Sequence, residues 1–327
     1  AEKVTAAGKT DERKELIVMY FGAPVWPLQW DPPYDEPIKR LHALGFKGVE
    51  MIGWSRKALD EYYTPETIEH LKELIAGLGM VVTNFNHTPE GIASMDPEVS
   101  IAKFSDFCRT IDVAAALGSP NVTMVAAFPF GKSHWDFIEL RHLAEMQVWS
   151  YGEIGQDWEA NYEHFVDVVR RCCAYAREKG VRVLIEAHPY RWVNSTQSML
   201  RLIEHVGADN LGMNFDPSHL FPQGDMPEWA VHMLKGRLWH THFSDNDALT
   251  NVHWRPGQGK INWKAVMKAL DDIGYEGAIN FELEDVPGAA TPTSAVHGAK
   301  ISNEIEHEMA MAKAYIAGLC AEQGIAI

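Results

Sequence analysis

The sequence predicts a single (β/α)8 barrel, an α/β fold in one domain. Short runs rich in β-branched residues alternate with amphipathic stretches along the whole chain, and eight strand–helix units fit this alternation. The length of 327 residues suits an eight-fold barrel with loop insertions, and 46% hydrophobic residues are enough for a large core. A doubly wound open sheet would also alternate, but no glycine-rich phosphate-binding turn follows the first strand. The sequence therefore favours the closed barrel.

The strands are predicted at the apolar runs of this pattern, where turn-forming residues bound each run. In chain order they are residues 16–23, 47–54, 81–87, 121–128, 181–188, 211–216, 237–244 and 278–284. The helices are predicted at the amphipathic stretches between them, which are residues 35–44, 65–78, 98–117, 158–179, 196–206, 228–234, 263–273 and 303–319. Several of these helices are followed by a glycine, the residue that most readily closes a helix: Gly45, Gly79, Gly118, Gly180, Gly207 and Gly274.

Two segments lie outside the repeat. Residues 1–14 are polar and charged, and we expect them to be a flexible segment that precedes a barrel of residues 15–327. Residues 129–157 follow the fourth strand and are rich in aromatic and charged residues, which indicates an insertion that acts as a lid or a docking surface. We see neither an apolar signal sequence nor a run long enough to span a membrane, so we expect a cytoplasmic protein.

Charge and cysteine content narrow the class of partner. The chain has 29 Lys and Arg against 45 Asp and Glu, a formal net charge of −16, and no basic run. Such a surface repels a polyphosphate backbone, so nucleic acid is not an expected partner. The four cysteines lack the spacing of a disulfide framework or a zinc ribbon, which fits a reducing compartment. A small molecule remains as the expected partner.

Each of the last four predicted strands carries a carboxylate or an imidazole near its C-terminal end. Because side chains alternate along a strand, Glu186, Asp216, His242 and Glu282 face the barrel axis. Neighbouring strands lie about 5 Å apart, so these four groups converge. Three carboxylates in one place repel one another unless a cation lies between them, and an oxygen-rich set favours Mn²⁺, Mg²⁺ or Co²⁺ over a structural zinc. The pattern predicts a divalent metal at the C-terminal mouth of the barrel.

The alternation leaves two choices of ligand open. His240 shares a face with His242, and Glu284 shares a face with Glu282, with the earlier residue of each pair one layer deeper in the barrel. A single polar residue at a strand end is often only solvated. The metal prediction therefore depends on four such residues in succession.

The segments IEAHP at 185–189, NFDPSH at 214–219, HFSD at 242–245 and FELED at 281–285 resemble those of the xylose-isomerase-like TIM barrels, the sugar phosphate isomerase/epimerase group. The resemblance covers nearly the whole barrel and is strongest from residue 181 to residue 285. It implies that Glu186, Asp216, His242 and Glu282 bind one divalent metal. Mn²⁺ is the expected ion, with Mg²⁺ or Co²⁺ as alternatives. It also implies that His219 lies beside the substrate.

Ketose 3-epimerases of this group place two metal-bound glutamates on opposite faces of the sugar as acid and base. Glu186 and Glu282 match those two positions. The resemblance therefore implies an enzyme that removes the proton next to the carbonyl of a keto-sugar, which gives epimerisation or isomerisation.

His188 departs from the epimerase pattern, because it lies two residues after Glu186 and faces the same cavity. A Glu-x-His-Pro turn resembles the metal-binding subunit of bacterial C-glycoside deglycosidases, in which a histidine base acts on a 3-keto-glycoside and the aglycone leaves by β-elimination. That resemblance implies a lyase as the alternative function, with a small partner subunit docked on the insertion. Without such a partner we expect a homo-oligomer. A histidine here also serves to orient a metal ligand, so both roles stay open.

Further residues are predicted to contact the substrate. The turn-rich loop after the seventh strand carries His253 and Arg255 over the mouth. Glu50 and Trp54 face inward on the second strand, and His87 does so at the end of the third. Aromatic side chains at a barrel mouth often stack on sugar rings, although any one tryptophan is more often part of the core.

Two other functions share this barrel. Endonuclease-IV-type enzymes use a similar set of residues, of which His219, His242 and His253 match part. Asn251 stands where those enzymes need an aspartate, and the net charge opposes DNA binding. A barrel that only binds sugar is the other alternative, but such a protein has no reason to keep four converging ionisable groups.

Overall fold

A computed structural model of the chain describes residues 19–129, 157–290 and 304–327. The predicted flexible segment 1–14 and nearly all of the predicted insertion 129–157 lie outside the described residues, as does the first residue of the helix predicted at 303–319. Among the helices that the structure describes, none is long and apolar enough to cross a membrane. All four cysteines are free.

Eight parallel strands form one sheet that curls into a barrel. They are β1 (Tyr20–Pro24), β2 (Gly48–Ile52), β3 (Val81–Asn86), β4 (Asn121–Val125), β5 (Arg182–Glu186), β6 (Leu211–Phe215), β7 (Leu238–Thr241) and β8 (Ala278–Asn280). Each strand pairs with the next in sequence, and β1 also pairs with β8. Between β7 and β8 the described residues form one isolated backbone bridge, His242 to Asn280, and Thr241 Oγ1 adds hydrogen bonds with the carbonyl of Ala278 and the N–H of Asn280. The predicted (β/α)8 barrel is confirmed.

Ten α-helices are found in the described residues. They are α1 (Asp35–Ala43), α2 (Arg56–Glu61), α3 (Pro65–Gly77), α4 (Pro97–Leu117), α5 (Trp158–Glu178), α6 (Thr196–Val206), α7 (Pro217–Leu220), α8 (Pro227–Met233), α9 (Trp263–Ile273) and α10 (Glu304–Gln323). A 3-10 turn at Phe221–Gln223 follows α7. The six glycines predicted to close helices all have positive φ, as that role requires.

Two short helices, α2 and α7, are absent from the sequence prediction. Each is preceded by a capping residue whose side chain accepts a hydrogen bond from the first turn: Ser55 from Ala58 N, and Asp216 from Ser218 N. Pro217 then occupies the first position of α7, where proline fits a helix best. A predicted metal ligand thus also begins a helix, and this fixes one of its two carboxylate oxygens.

The apolar core lies between the strands and the helices. Ile185, Phe215 and Phe281 point outward from β5, β6 and the end of β8 and are fully buried, as the alternation predicts. The barrel interior is different, because buried polar side chains occupy it: Glu50, Asn84, Thr123, Asn214, His240 and Asn280. Buried polar groups of this kind are stable only when hydrogen bonds satisfy them. These residues form the floor under the candidate site.

Candidate metal centre and active site

Four ionisable side chains converge at the C-terminal mouth of the barrel. Glu186 is the last residue of β5, Asp216 and His242 directly follow β6 and β7, and Glu282 lies two residues beyond β8. Each has a ligand atom within 4.8 Å of those of the other three, and all four are more than nine-tenths buried. The group contains His242 and Glu282, whereas His240 lies one layer deeper beside Glu50. The juxtaposition that the sequence predicts is therefore present.

The distances within this group suit a cation. His242 Nδ1 is 2.8 Å from Glu186 Oε1 and 3.2 Å from Glu282 Oε2. Asp216 Oδ1 accepts a hydrogen bond from Ser218 N, but its buried Oδ2 has no hydrogen-bond partner among the described residues. A buried carboxylate oxygen of this kind is costly unless something positive binds it. Three carboxylates and one imidazole are also a ligand set that divalent cations accept.

The pKa values of these four side chains also reflect the cost of burying several charges together. Burial raises the pKa of Glu186 to about 7, with the charge of Glu282 adding to the effect and His242 opposing it. Burial also raises the pKa of the Asp216 carboxyl. Burial alone would lower the pKa of His242, but the carboxylates of Glu50, Glu282 and Glu186 outweigh it and raise that pKa well above 6.5. Without a cation the cluster therefore holds protons, which a bound metal would displace.

Two further histidines lie against Asp216, and a third packs on one of them. His253 Nε2 is 3.4 Å and His219 Nε2 is 3.6 Å from Asp216 Oδ2, and the two nitrogens are 3.3 Å apart. The ring of His188 packs on the ring of His219 with their centres 3.4 Å apart. His219 Nδ1 is 2.8 Å from Asn251 Oδ1. The structure thus brings His188, His219 and His253, all predicted at the site, onto one side of the cluster.

Residues 38–312 match the family described as xylose isomerase-like TIM barrel. The chain belongs to this family. Inosose dehydratase of Lacticaseibacillus casei is 24% identical over 281 residues, which cover 75% of this chain and 91% of the relative. D-psicose 3-epimerase of Ruminiclostridium cellulolyticum is 23% identical over 287 residues, 87% of this chain and 89% of the relative. This chain is also 27% identical to an uncharacterized protein of Methanocaldococcus jannaschii, but the match covers only 49% of that protein.

Solved structures share the architecture of this xylose isomerase-like barrel. D-psicose 3-epimerase from Clostridium cellulolyticum H10 superposes with a TM-score of 0.72 at 20% identity, over 92% of this chain and 99% of the other. A 3-keto-D-glucoside 4-epimerase from E. coli gives 0.67 at 19% identity, over 92% and 99%. The relatives whose names state an activity are epimerases and dehydratases, so the prediction of an enzyme is confirmed.

Three residues predicted to contact substrate occupy other places in this xylose isomerase-like barrel. Glu50 is fully buried, and both of its oxygens are hydrogen-bonded within the barrel floor, so its carboxylate is not offered to a substrate. Arg255 Nε lies 2.9 Å from Glu308 Oε2 on α10, and this ion pair ties its charge to the last helix. His87 is buried with Nδ1 against the carbonyl of Gly53, and burial lowers its pKa to about 4, so it is neutral.

Trp54 lies in an aromatic stack next to the cluster. Its ring stacks on Trp30 with centres 3.6 Å apart, and its Nε1 donates a hydrogen bond to the carbonyl of Trp30. Trp26 stands between Trp54 and His242, 6.0 Å from the first ring and 5.8 Å from the second, edge-on to both. Trp54 therefore reaches the cluster through Trp26, and its contact with a substrate remains a prediction.

The asparagines of the barrel floor are the part of the site that the sequence analysis missed, whereas it named His240 as an alternative ligand one layer deeper. Asn214, His240 and Asn280 each lie two residues before a predicted ligand, so they face the same way one layer deeper. Asn214 contacts both histidines of β7, and Asn280 contacts both Glu50 and His240. The signal was present in the sequence, because a polar residue at that parity inside a barrel has to be hydrogen-bonded.

Proposed function

We propose that this chain is a divalent-metal-dependent enzyme that removes the proton next to the carbonyl of a keto-sugar and returns a proton, which epimerises or isomerises the sugar. The observation that carries the proposal is the convergence of Glu186, Asp216, His242 and Glu282 within 4.8 Å at the mouth of the barrel. The activities stated in the names of D-psicose 3-epimerase and inosose dehydratase support it. Because the set is rich in carboxylate oxygen, we propose Mn²⁺ as the ion, with Mg²⁺ or Co²⁺ as alternatives.

Each residue then has a defined task. When bound, a divalent metal polarises the carbonyl and hydroxyl oxygens of a sugar and stabilises the negative charge that follows proton removal. Glu186 and Glu282 approach His242 Nδ1 at 2.8 and 3.2 Å, so both carboxylates border the same space. One takes the proton from the carbon next to the carbonyl, and the other delivers a proton to the opposite face. His219, packed beside Asp216, contacts the hydroxyl groups.

Proton exchange with solvent tests the proposal directly. Metal-loaded protein is incubated in D2O with D-psicose, D-fructose and a 3-keto-glucoside, and deuterium at the carbon next to the carbonyl is measured by mass spectrometry. We expect incorporation with at least one keto-sugar. Glu282→Gln should reduce it by about 10²-fold or more, and the exposed control Glu276→Gln should not change it. A failure to incorporate deuterium into any keto-sugar, with the metal content verified, would contradict the proposal.

One observation favours a second candidate function. The His188 ring packs on His219, and both have ligand nitrogens within 4.8 Å of a Glu186 oxygen. A base in this place would take the proton beside the ketone of a 3-keto-glycoside, and the C–H electron pair would then expel the aglycone by β-elimination. Release of an aromatic aglycone from a 3-keto-C-glycoside, followed by chromatography, tests this lyase reaction. A homo-oligomer, or a complex with a small partner subunit if the chain is a lyase, remains part of the proposal.

A further inference from the structure

We propose that Glu50 is a positioning residue that holds the His242 ring with its Nε2 protonated and its Nδ1 directed at the metal. This inference deepens the proposed function, because it rests on the metal site formed by Glu186, Asp216, His242 and Glu282. Glu50 lies in the middle of β2, opposite β6 in the ring of strands and two strands away from β8.

The carboxylate of Glu50 is held on both oxygens. Its Oε1 accepts a hydrogen bond from Asn84 Nδ2 at 2.7 Å. Its Oε2 accepts one from Asn280 Nδ2 at 2.7 Å and lies 2.8 Å from His242 Nε2. Glu50 is fully buried, so no solvent competes for these contacts. A buried carboxylate 2.8 Å from a ring nitrogen requires a proton on that nitrogen, because two unprotonated acceptors would repel each other.

The side-chain amides of the barrel floor provide a second, independent indication of the state of the other ring nitrogen of His242, Nδ1. Asn280 Nδ2 lies 3.1 Å from His240 Nε2 and donates to it, so the proton of His240 is on Nδ1, which donates to Asn214 Oδ1 at 2.9 Å. Asn214 therefore turns its Nδ2 toward His242 Nδ1, at 3.0 Å. An N–H donor that faces Nδ1 leaves the lone pair of His242 on that nitrogen. Glu186 and Glu282 also lie 2.8 and 3.2 Å from this nitrogen. Without an ion these contacts need a shared proton as well, so the lone pair of Nδ1 becomes available when a cation occupies the space between Nδ1 and the two carboxylates.

Both lines of contact give the same result. The carboxylate of Glu50 holds the proton on Nε2, and the amide of Asn214 keeps the lone pair on Nδ1. A carboxylate on the outer nitrogen of a metal-binding imidazole orients the ring and makes the inner nitrogen more basic. Glu50 thus acts on the metal through His242 without touching it, and its task differs from the substrate contact that the sequence suggested.

The test replaces Glu50 by a residue of the same shape without charge. In the full chain, the Kd for Mn²⁺ and for Co²⁺ is measured by competition with a chelator, and the visible spectrum of bound Co²⁺ is recorded. We expect Glu50→Gln to weaken metal binding by roughly 10–100-fold and to alter the Co²⁺ spectrum. The matched control is Glu90→Gln, because Glu90 is a buried carboxylate paired at 2.9 Å with Arg191 and outside the cluster. Equal metal affinity in Glu50→Gln and wild type would overturn the proposal.

A second measurement needs no variant. In the Zn²⁺-loaded protein with ¹⁵N-labelled histidine, long-range ¹H–¹⁵N spectra report which ring nitrogen carries the proton. We expect the proton of His242 on Nε2, and a proton on Nδ1 would overturn the proposal even if Glu50→Gln does not fold. These measurements distinguish the role of Glu50 from the proposed function. If the wild type bound metal but exchanged no deuterium, the proposed function would be contradicted and the role of Glu50 would not be affected.

Discussion

Asp216 is the residue whose environment depends most on a bound cation. Its Oδ2 is buried with only the long contacts of His253 at 3.4 Å and His219 at 3.6 Å, and burial raises the pKa of the carboxyl although His253 opposes the shift. Asp216→Asn keeps the shape and the Oδ1 contact with Ser218 N. We expect metal affinity to fall by more than the roughly 10–100-fold that is typical of losing an outer-shell partner. At pH above neutral, the metal-free variant should be more stable than metal-free wild type by about 1–3 kcal/mol, because a buried charge is gone.

Chemical unfolding with chelator present, and metal titration without it, measure the two effects separately. Weaker metal binding together with higher stability of the metal-free variant would show that the carboxylate serves to bind a cation. If metal-free Asp216→Asn proved less stable than metal-free wild type, the charge of Asp216 would be stabilised by His219 and His253 and would not depend on a cation.

His188 separates the two candidate functions. If Glu186 and Glu282 exchange protons on a keto-sugar, His188→Gln should keep most of the activity, because this histidine would only orient its neighbours. If His188 is the base of an elimination, the same change should lower turnover by about 10²-fold or more and leave metal content unchanged. Steady-state rates on a ketose and on a 3-keto-C-glycoside, with elemental analysis of both proteins, check this. The exposed His70→Gln serves as the control for loss of a histidine.

The sequence predicted the four converging residues because parity along a strand fixes which side chains face the axis. Parity does not give depth or neighbours across the barrel. Glu50 faces inward as predicted, and it lies beneath His242. This contact arises when the barrel closes, so the residue pattern of β2 alone does not reveal it. Arg255 was predicted to lie at the mouth of the barrel because of the position of its loop. No local sequence pattern indicates that it forms an ion pair with Glu308, which lies 53 residues later in the chain.

At the level of the strands, Gly22 of β1 leaves no room for a side chain between Asn280 of β8 and Gly48 of β2. A Cβ on Gly22 would lie 2.0 Å from Asn280 Oδ1 and 3.3 Å from the Cα of Gly48. Gly22→Ala must therefore displace Asn280, which holds Glu50. We expect a loss of stability of about 1–3 kcal/mol together with weaker metal binding. Gly77→Ala at the end of α3 meets nothing within 4 Å and should leave both unchanged or add about 0.5–1 kcal/mol of stability. Unfolding and metal titration of both variants check this, and normal metal affinity in Gly22→Ala would count against the link through Asn280.

Element positions followed from periodicity, whereas element ends did not. The predicted fifth strand continued to residue 188, but β5 stops at Glu186, since the N–H of His188 donates to the carbonyl of Val193 instead of joining the sheet. The helices α2 and α7 have six and four residues, too few to show a helical period. Only the capping residues that precede them, Ser55 and Asp216, indicate them.

For the whole molecule, a bound metal would make the stability depend on pH in a different way from the metal-free protein. In the metal-free protein burial raises the pKa of Glu186 from 4.5 to about 7, so the stability tied to its protonated form is complete below 4.5 and lost as pH rises through about 7. The Tm of metal-free protein should therefore fall as the pH rises from about 4.5 to about 7 and level off above that. A metal needs the ionised form, so the Tm gain from Mn²⁺ should be larger at pH 8 than at pH 6.

Thermal unfolding with EDTA and with Mn²⁺ at each pH measures this linkage. EDTA should also abolish activity, and Mn²⁺ or Co²⁺ should restore it. A Tm gain of the same size at both pH values would contradict the linkage, and full activity in protein shown by elemental analysis to be metal-free would contradict the proposed function.

The joint between β7 and β8 gives the proposed metal a mechanical task. One bridge joins His242 to Asn280 there, and the N–H of Phe243 donates to the carbonyl of Asn280 at 2.6 Å. His242 and Glu282 lie on opposite sides of this joint, so an ion bound to both would fasten it. Amide hydrogen exchange should then slow at Phe243 when Mg²⁺ is added, and much less at Val25, whose N–H bonds the carbonyl of Glu50 across a joint without metal ligands. Equal slowing at the two amides would show that the ion stabilises the barrel as a whole. The expected difference would show that the ion stabilises the closure of the barrel between β7 and β8.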